Sequence, residues 1–375
     1  MSRLFNAQLY YFYSVNFVNT TTYPNSYCIS DNIANQWGWG YNDTGELGLN
    51  DSINRYIPNI IKGSSKKFCN IQGGNGHVIA LDDSGACWSW GFGLMGQLGN
   101  GSSDNRCTPV LIHGTKTYCK IAATYLMSMA IDTTGLIWGW GWNRIGVLGN
   151  DNVGDNIYTP VSIHGARKTF CEIAMGDSTS MGIDLRGRLW SWGGDYSGAL
   201  GTNTVNCNRC IPVSVHTNRT YCKISVGYID VHVLALDNLG VLWAWGANSG
   251  FTGFGCLGDG TTVDKCIPIS VHGGITFCKI SAGERVSVGI DNNGQVWGWG
   301  RNAYGQIGDN STTNRCVPTS IHGTKKTFCE ISSNHRHVVA IDNHSQVWSW
   351  GRNDRGQLGD NTTVNRLTPV RVFKL

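Results

Sequence analysis

The sequence predicts an all-β fold: a seven-bladed β-propeller of four-stranded antiparallel blades, closed by the C-terminal strand joining the N-terminal blade. Three observations carry this. A Trp-x-Trp-Gly core recurs seven times, beginning at Trp37, Trp88, Trp138, Trp190, Trp243, Trp297 and Trp348. The intervals are 51, 50, 52, 53, 54 and 51 residues, and a fixed period of this size marks a repeat architecture. Around each core lie short alternating runs divided by turn residues, with no helical period.

The core strand comes first. Side chains two apart in a strand share a face, so both indoles of each pair lie on one side. The residue between them is Gly38, Ser89, Gly139, Ser191, Ala244, Gly298 or Ser349, always small. One face is bulky and the other flat, which lets neighbouring sheets nest. Each buried indole removes about 150–250 Å² from water, so the pairs are expected to lie between blades and to supply much of the stability.

Residues 316–359 show one unit. Cys316-Val-Pro-Thr-Ser-Ile reads as a first strand, with Pro318 near its start. Thr327-Phe-Cys-Glu-Ile331 reads as a second, His337-Val-Val-Ala-Ile341 as a third and Gln346-Val-Trp-Ser-Trp350 as a fourth. Asn353-Asp-Arg-Gly-Gln-Leu-Gly359 reads as a loop leading to the next blade. An Asp opens the turn before each Trp strand: Asp31, Asp82, Asp132, Asp184, Asp237, Asp291 and Asp342. Gly follows three residues later in five copies, which is hairpin chemistry rather than a metal ring.

At the ends, Phe17-Val-Asn-Thr20 occupies the place of Phe68-Cys-Asn-Ile71, and Leu367-Thr-Pro-Val-Arg-Val-Phe373 has no blade after it. The expected organisation is an extension over 1–16 and one propeller domain over 17–375. Its first blade combines 17–40 with 367–375, so that no sheet edge stays open.

Charged residues are 14% and the net charge is +4, too weak to point to nucleic acid. No export signal or membrane-spanning run is visible, so a cytoplasmic or nuclear location is the expectation. Six of the 14 cysteines stand in Phe/Tyr-Cys-x-Ile (Cys69, Cys119, Cys171, Cys222, Cys278, Cys329). Four stand in Cys-x-Pro (Cys107, Cys210, Cys266, Cys316), where other repeats have Tyr56, Tyr158 and Leu367. The two sets do not appear and vanish together, so free, buried cysteines filling small apolar spaces are expected.

Trp348-Ser-Trp-Gly-Arg-Asn-Asp-Arg-Gly-Gln-Leu-Gly359 resembles the repeat of the regulator of chromosome condensation family, and Trp297 to Gly308 matches with Ile for Leu. His77, His232 and His337 keep the His of the family's Gly-x-x-His element, whereas Met127, Thr179 and Val286 replace it. The likeness covers about residues 17–375. It implies a seven-bladed propeller and no single activity, since such propellers serve exchange factors, ubiquitin-ligase modules and scaffolds.

No enzyme motif emerges: there is no phosphate-binding Gly-x-x-x-x-Gly-Lys loop, no His-Glu-x-x-His and no Gly-x-Ser-x-Gly. Gly91-Phe-Gly-Leu-Met-Gly96 fits a dinucleotide fingerprint only by accident, because it lies in the repeated loop with no helix after it. Cys207-Asn-Arg-Cys210 lacks the further ligands a zinc site needs. Neither a cofactor nor a metal is expected. His113, His164, His216, His272 and His322 recur at one turn and read as exposed turn residues.

Two features are candidates for binding. A basic residue precedes the Cys-x-Pro position in six units: Arg55, Arg106, Arg209, Lys265, Arg315 and Arg366, with Ile157 breaking the series. Such a ring attracts an acidic partner; the plainer reading is that each side chain bonds its own loop. The loop Ala247-Asn-Ser-Gly-Phe-Thr-Gly-Phe-Gly255 carries four extra residues and offers Asn248, Phe251 and Phe254. The expected function is a non-enzymatic, monomeric protein-interaction scaffold whose partner is an acidic protein or a small GTPase. A membrane or nucleic-acid partner is not expected. A guanine-nucleotide exchange factor for a Ran-like GTPase is the second reading, set back by short insertions and an N-terminal segment with Arg3 alone as its basic residue. Carbohydrate binding by Trp142, Tyr196 and Phe251 is the third.

Overall fold

The structure, a computed structural model, describes residues 26–30, 36–61, 67–163, 169–215, 218–228, 231–249, 253–322, 326–333 and 335–372. Seven antiparallel sheets follow one another along the described chain, numbered here by their Trp-x-Trp strand from Gln36–Gly40 to Val347–Gly351. The second to seventh sheets have four strands each; the first has three, Ser26–Ser30, Gln36–Gly40 and Arg55–Ile60. The sequence-level segments 1–16 and 17–25 lie outside the described residues.

Strand order corrects the sequence reading. In the seventh sheet Phe328–Ser333 is innermost, followed by His337–Asp342, Val347–Gly351 and Arg366–Arg371. The Cys-x-Pro strand is therefore the outer strand of the blade it follows, not the first strand of the next. The C-terminal strand accordingly pairs with its own Trp strand, Trp348 opposite Arg371 and Gly351 opposite Arg366, and does not join the first sheet. The reason lies in the loop after each Trp strand. Its Asn collects the backbone: Asn353 Oδ1 accepts from Leu358 N at 2.9 Å, and its Nδ2 donates to Thr362 O and Val364 O at 3.1 Å. That network folds the chain back on the sheet it has just left.

The same loop grips the following sheet. The indole N–H of Trp90 donates to Glu46 O at 3.0 Å, Trp140 to Gln97 O at 2.9 Å, Trp299 to Cys256 O at 2.9 Å and Trp350 to Gln306 O at 3.0 Å. The series continues from the last loop to the first sheet, where Trp39 donates to Gln357 O at 3.3 Å. A Cβ on Gly359 would lie 2.9 Å from the Trp39 indole nitrogen, so no larger residue permits this approach. Trp39, Phe68, Val78, Trp90, Val339 and Val372 share one core cluster, which draws together the first, second and seventh sheets.

The two indoles of a pair have different surroundings. The second is 0% exposed in all seven copies. The first is half-buried at the sheet rim, which corrects the expectation that both lie between blades. Its N–H bonds the turn aspartate: Trp88 to Asp82 at 2.9 Å, Trp138 to Asp132 at 2.8 Å, Trp348 to Asp342 at 3.0 Å. The other oxygen of Asp82 accepts from Ser84 N and Ala86 N. Burial alone would raise the Asp82 carboxyl; these bonds outweigh it and hold it below the usual range.

Cysteine burial also departs from expectation. The 13 cysteines whose side chains are described are free, but Cys69, Cys119, Cys171, Cys222, Cys278 and Cys329 are exposed. Each sits at a bulge: Phe68 pairs with Asp82 and Asn70 with Leu81, which leaves Cys69 as the extra residue. Cys107, Cys210, Cys266 and Cys316 are half-buried, and glycines of the preceding loop approach them: a Cβ on Gly45 would stand 2.7 Å from the Cys107 Cα. His113, His272 and His322 are exposed as read from sequence; His164 and His216 lie outside the described residues.

Candidate functional site

Two sets of loops meet on one face of the sheets: those between the first and second strands, and those between the third and fourth. On the fifth, sixth, seventh and first sheets they carry an arc of arginines and aromatic rings. Its hub is Glu284, 2% exposed, at the end of the inner strand Phe277–Ala282. Glu284 accepts from His335 Nε2 at 2.9 Å, Arg336 Nε at 3.0 Å and Arg301 Nη1 at 3.1 Å. Burial would raise this carboxyl, but the bonds from His335 and Arg336, and the Arg336 charge, overcome it and hold it down to about 2.

The guanidinium groups then stack on rings. Arg285 and Arg301 lie 5.0 and 5.6 Å from the Phe254 centroid. Arg336 and Arg352 lie 5.3 and 5.4 Å from Tyr304, and Arg336 Nη1 donates to the Tyr304 hydroxyl at 3.1 Å. Arg352 also pairs with Asp354 at 2.5 Å. Arg355 stands 5.9 Å from the Tyr41 ring, whose hydroxyl donates to Asp43. Burial, then the Asp43 bond, pushes the Tyr41 phenol up to about 12. Stacked guanidinium groups keep their charge while losing rotamer freedom, so the arc presents cations in set positions.

The residues singled out from sequence fare unequally. Phe254 lies in the arc, buried between its two arginines. Asn248, 1% exposed, organises its loop instead: its amide donates to Asp259, Thr261 O and Val263 O, and its oxygen accepts from Leu257 N. Phe251 lies outside the described residues. The six basic residues each begin an outer strand, one per sheet, as their repeat position requires. Five are neutralised by a carboxylate of their own loop: Arg55 by Asp51, Arg106 by Asp104, Lys265 by Asp259, Arg315 by Asp309 and Arg366 by Asp360. Arg209 has Thr202 where Arg315 has Asp309 in the repeat, and no ion pair joins it among the described residues. The basic residue recurs at the start of six outer strands, but the set is not a field of free cations.

Sequence reasoning passed over Glu284, Arg285, Arg301, Tyr304, His335, Arg336 and Arg352. Every one occupies a variable position of the repeat. Arg301 and Arg352 stand where Tyr41, Phe92, Trp142, Gly194 and Ala247 stand in other units; Arg285 and Arg336 stand where Gly76, Leu126, Ser178 and Val231 stand. The available signal was this clustering of charge in the last two repeats.

Residues 115–375 match the RCC1-like domain, and residues 36–81 and 84–131 match the regulator of chromosome condensation (RCC1) repeat. The chain is 27% identical over 339 residues to the ultraviolet-B receptor UVR8 of Arabidopsis thaliana, covering 89% of this chain and 64% of that protein. It is 29% identical over 339 residues to the human E3 ubiquitin-protein ligase HERC2, covering 88% of this chain and 6% of that protein. The chain thus spans less than two thirds of the length of either. Among solved structures it superposes on Prp20p of Saccharomyces cerevisiae with a TM-score of 0.78 at 22% identity, covering 90% and 85% of the two chains. The seven Trp-x-Trp units, the loops that fold back on their own sheets and these matches lead to one conclusion: the chain belongs to the RCC1 repeat family of β-propellers.

Proposed function

We propose that the protein is a non-enzymatic scaffold that binds an acidic protein partner on its arginine–aromatic face. The observation that carries this is the arc itself: five arginines (285, 301, 336, 352 and 355) share one face with the carboxylates of Glu284, Asp354 and Asp43. Aromatic rings beside excess guanidinium groups match the composition of interface centres. In this reading residues 17–375 form one domain of seven blades, closed as a ring at the contact of Trp39 with the last loop. The bond to Gln357 and the shared core cluster support that closure. The test is affinity capture with the native chain and with an Arg301→Glu, Arg352→Glu double variant. The scaffold reading expects a protein retained by the first and lost from the second. Identical retention by both removes the arc from the interface.

A second reading is supported by the likeness to Prp20p, a protein with binding properties to Gsp1p and histones. By analogy the chain would act as an exchange factor on a Ran-like GTPase. Nucleotide release from such a GTPase at its spontaneous rate in the presence of this chain ends that reading.

A further inference from the structure

The inner strands of the second to seventh sheets surround a cavity of about 340 Å³, within the range of small-molecule sites. Tyr125, Tyr228 and His335 follow the inner strands of the third, fifth and seventh sheets. Their rings touch in series, Tyr125 to Tyr228 at 6.1 Å and Tyr228 to His335 at 6.2 Å. These sheets are not neighbours, so the series reaches across from one inner strand to the next but one, just beyond the residues that line the cavity. Tyr125 O accepts from Asn75 N at 2.7 Å, and Tyr228 N donates to Gly283 O at 3.3 Å, which ties the series to the sheets between. The other end of the inner strands, where the bulge cysteines lie, is the end taken as the entrance.

Near that entrance runs a ring of residues at one repeat position: Asn70, Lys120, Glu172, Lys223, Lys279 and Glu330. Lys120 contacts Glu172, Lys223 reaches the same carboxylate at 3.5 Å, and Lys279 contacts Glu330. If the ring served only to join sheets, opposite charges would alternate throughout. Instead Lys223 and Lys279 stand at equivalent positions on the adjacent inner strands Tyr221–Val226 and Phe277–Ala282, with no carboxylate between them among the described residues. Each of these lysines has a carboxylate on its far side, Glu172 or Glu330, but Lys120, Lys223 and Lys279 outnumber the two carboxylates, so the described part of the ring keeps a net positive charge that an anion would relieve. One layer deeper on the same strands are Ser225 and Ser281. Ser225 Oγ accepts from Ala282 N at 2.9 Å and keeps its proton to offer, whereas Ser281 Oγ accepts from Ser333 N at 2.9 Å and donates to Ser333 O at 3.5 Å.

We propose that this cavity binds a small oxyanion-bearing solute, with the anionic group between Lys223 and Lys279 and its polar body against the Ser225 hydroxyl. The site is separate from the arginine face and stands whether or not that face binds a protein. The experiment is isothermal calorimetry on the full chain with inorganic phosphate, glucose 6-phosphate and glucose as probes. Both phosphates are expected to bind, more weakly as salt rises, while glucose gives no heat. Tighter binding of glucose 6-phosphate assigns the hydroxyl layer to the organic body; equal affinity confines recognition to the lysine pair and free phosphate. Lys223→Gln, at a half-exposed lysine outside the core, is expected to weaken binding about tenfold or more with an unchanged melting temperature. Lys279→Gln should do the same, and Arg355→Glu on the other face should change nothing. Silence from both phosphates up to about 10 mM, or unaltered affinity in both lysine variants, overturns the assignment.

Discussion

Replacing Glu284 with Gln takes the one carboxylate from beneath Arg301, Arg336 and His335 while nearly preserving its shape. The magnitude follows from the depression of its pKa from an ordinary 4.5 to about 2 in the folded protein. At neutral pH that interval corresponds to about 3 kcal/mol of stability. For a chain of this length the unfolding entropy near the midpoint is roughly 0.8 kcal/mol per degree, so the melting temperature should fall by about 4 °C. The sign fixes the pH dependence. A depressed folded pKa gives stability that is present above 4.5 and lost as pH falls through about 2. The gap between native and variant should therefore shrink to less than half by about pH 3, where roughly 1.4 kcal/mol remains. Scanning calorimetry of both proteins at neutral and acid pH measures it. Equal melting at neutral pH, or a gap that stays constant on acidification, refutes the view that Glu284 is the charge centre of the arc.

Three further outcomes are expected. His77, His232 and His337 are fully buried and held by burial at about 3, 4 and 3. Below pH 6.5 the unfolded chain takes up their protons; the folded chain instead takes up those of Glu46, raised by burial to about 7, and Asp177, raised by burial to about 6. The net is one proton favouring unfolding, so denaturant titrations between about pH 6 and 4.5 should lose roughly 1.4 kcal/mol per pH unit, and about twice that in Glu46→Gln. A flat profile means that the histidines are not held neutral. Trp39→Ala should cost about 3–5 kcal/mol, matching Trp192→Ala, if the first and last blades are joined like all others; a much smaller loss at Trp39 in urea unfolding means an open seam. Arg315→Ala, which removes a partly exposed guanidinium from Asp309 and Ser311, should cost about 1 kcal/mol and leave partner capture intact.

Much of the architecture was legible because its causes are local. Two indoles one residue apart must share a strand face, an Asp three residues before Gly builds a hairpin, and seven copies leave little doubt about a repeat. The strand frame was not legible. The loop of Asn353 to Gly359 looks like a linker because it is long and glycine-rich, yet Asn353 folds it back so that Arg366–Arg371 returns to its own sheet. Cys69 reads as a core filler until a bulge turns it outward.

The candidate site shows the same division. Sequence determined that Arg55, Arg315 and Arg366 take the same place in their units, and each begins the outer strand of its sheet. Only tertiary structure decided that carboxylates of their own loops neutralise them, and that Glu284, Arg301, Arg336 and Phe254, from three different blades, converge. Repetition in sequence identifies what every blade requires, because each blade solves the same packing problem. Binding depends on where blades differ, and differences at variable positions acquire meaning only when the packing of successive sheets brings them within a few ångströms of one another.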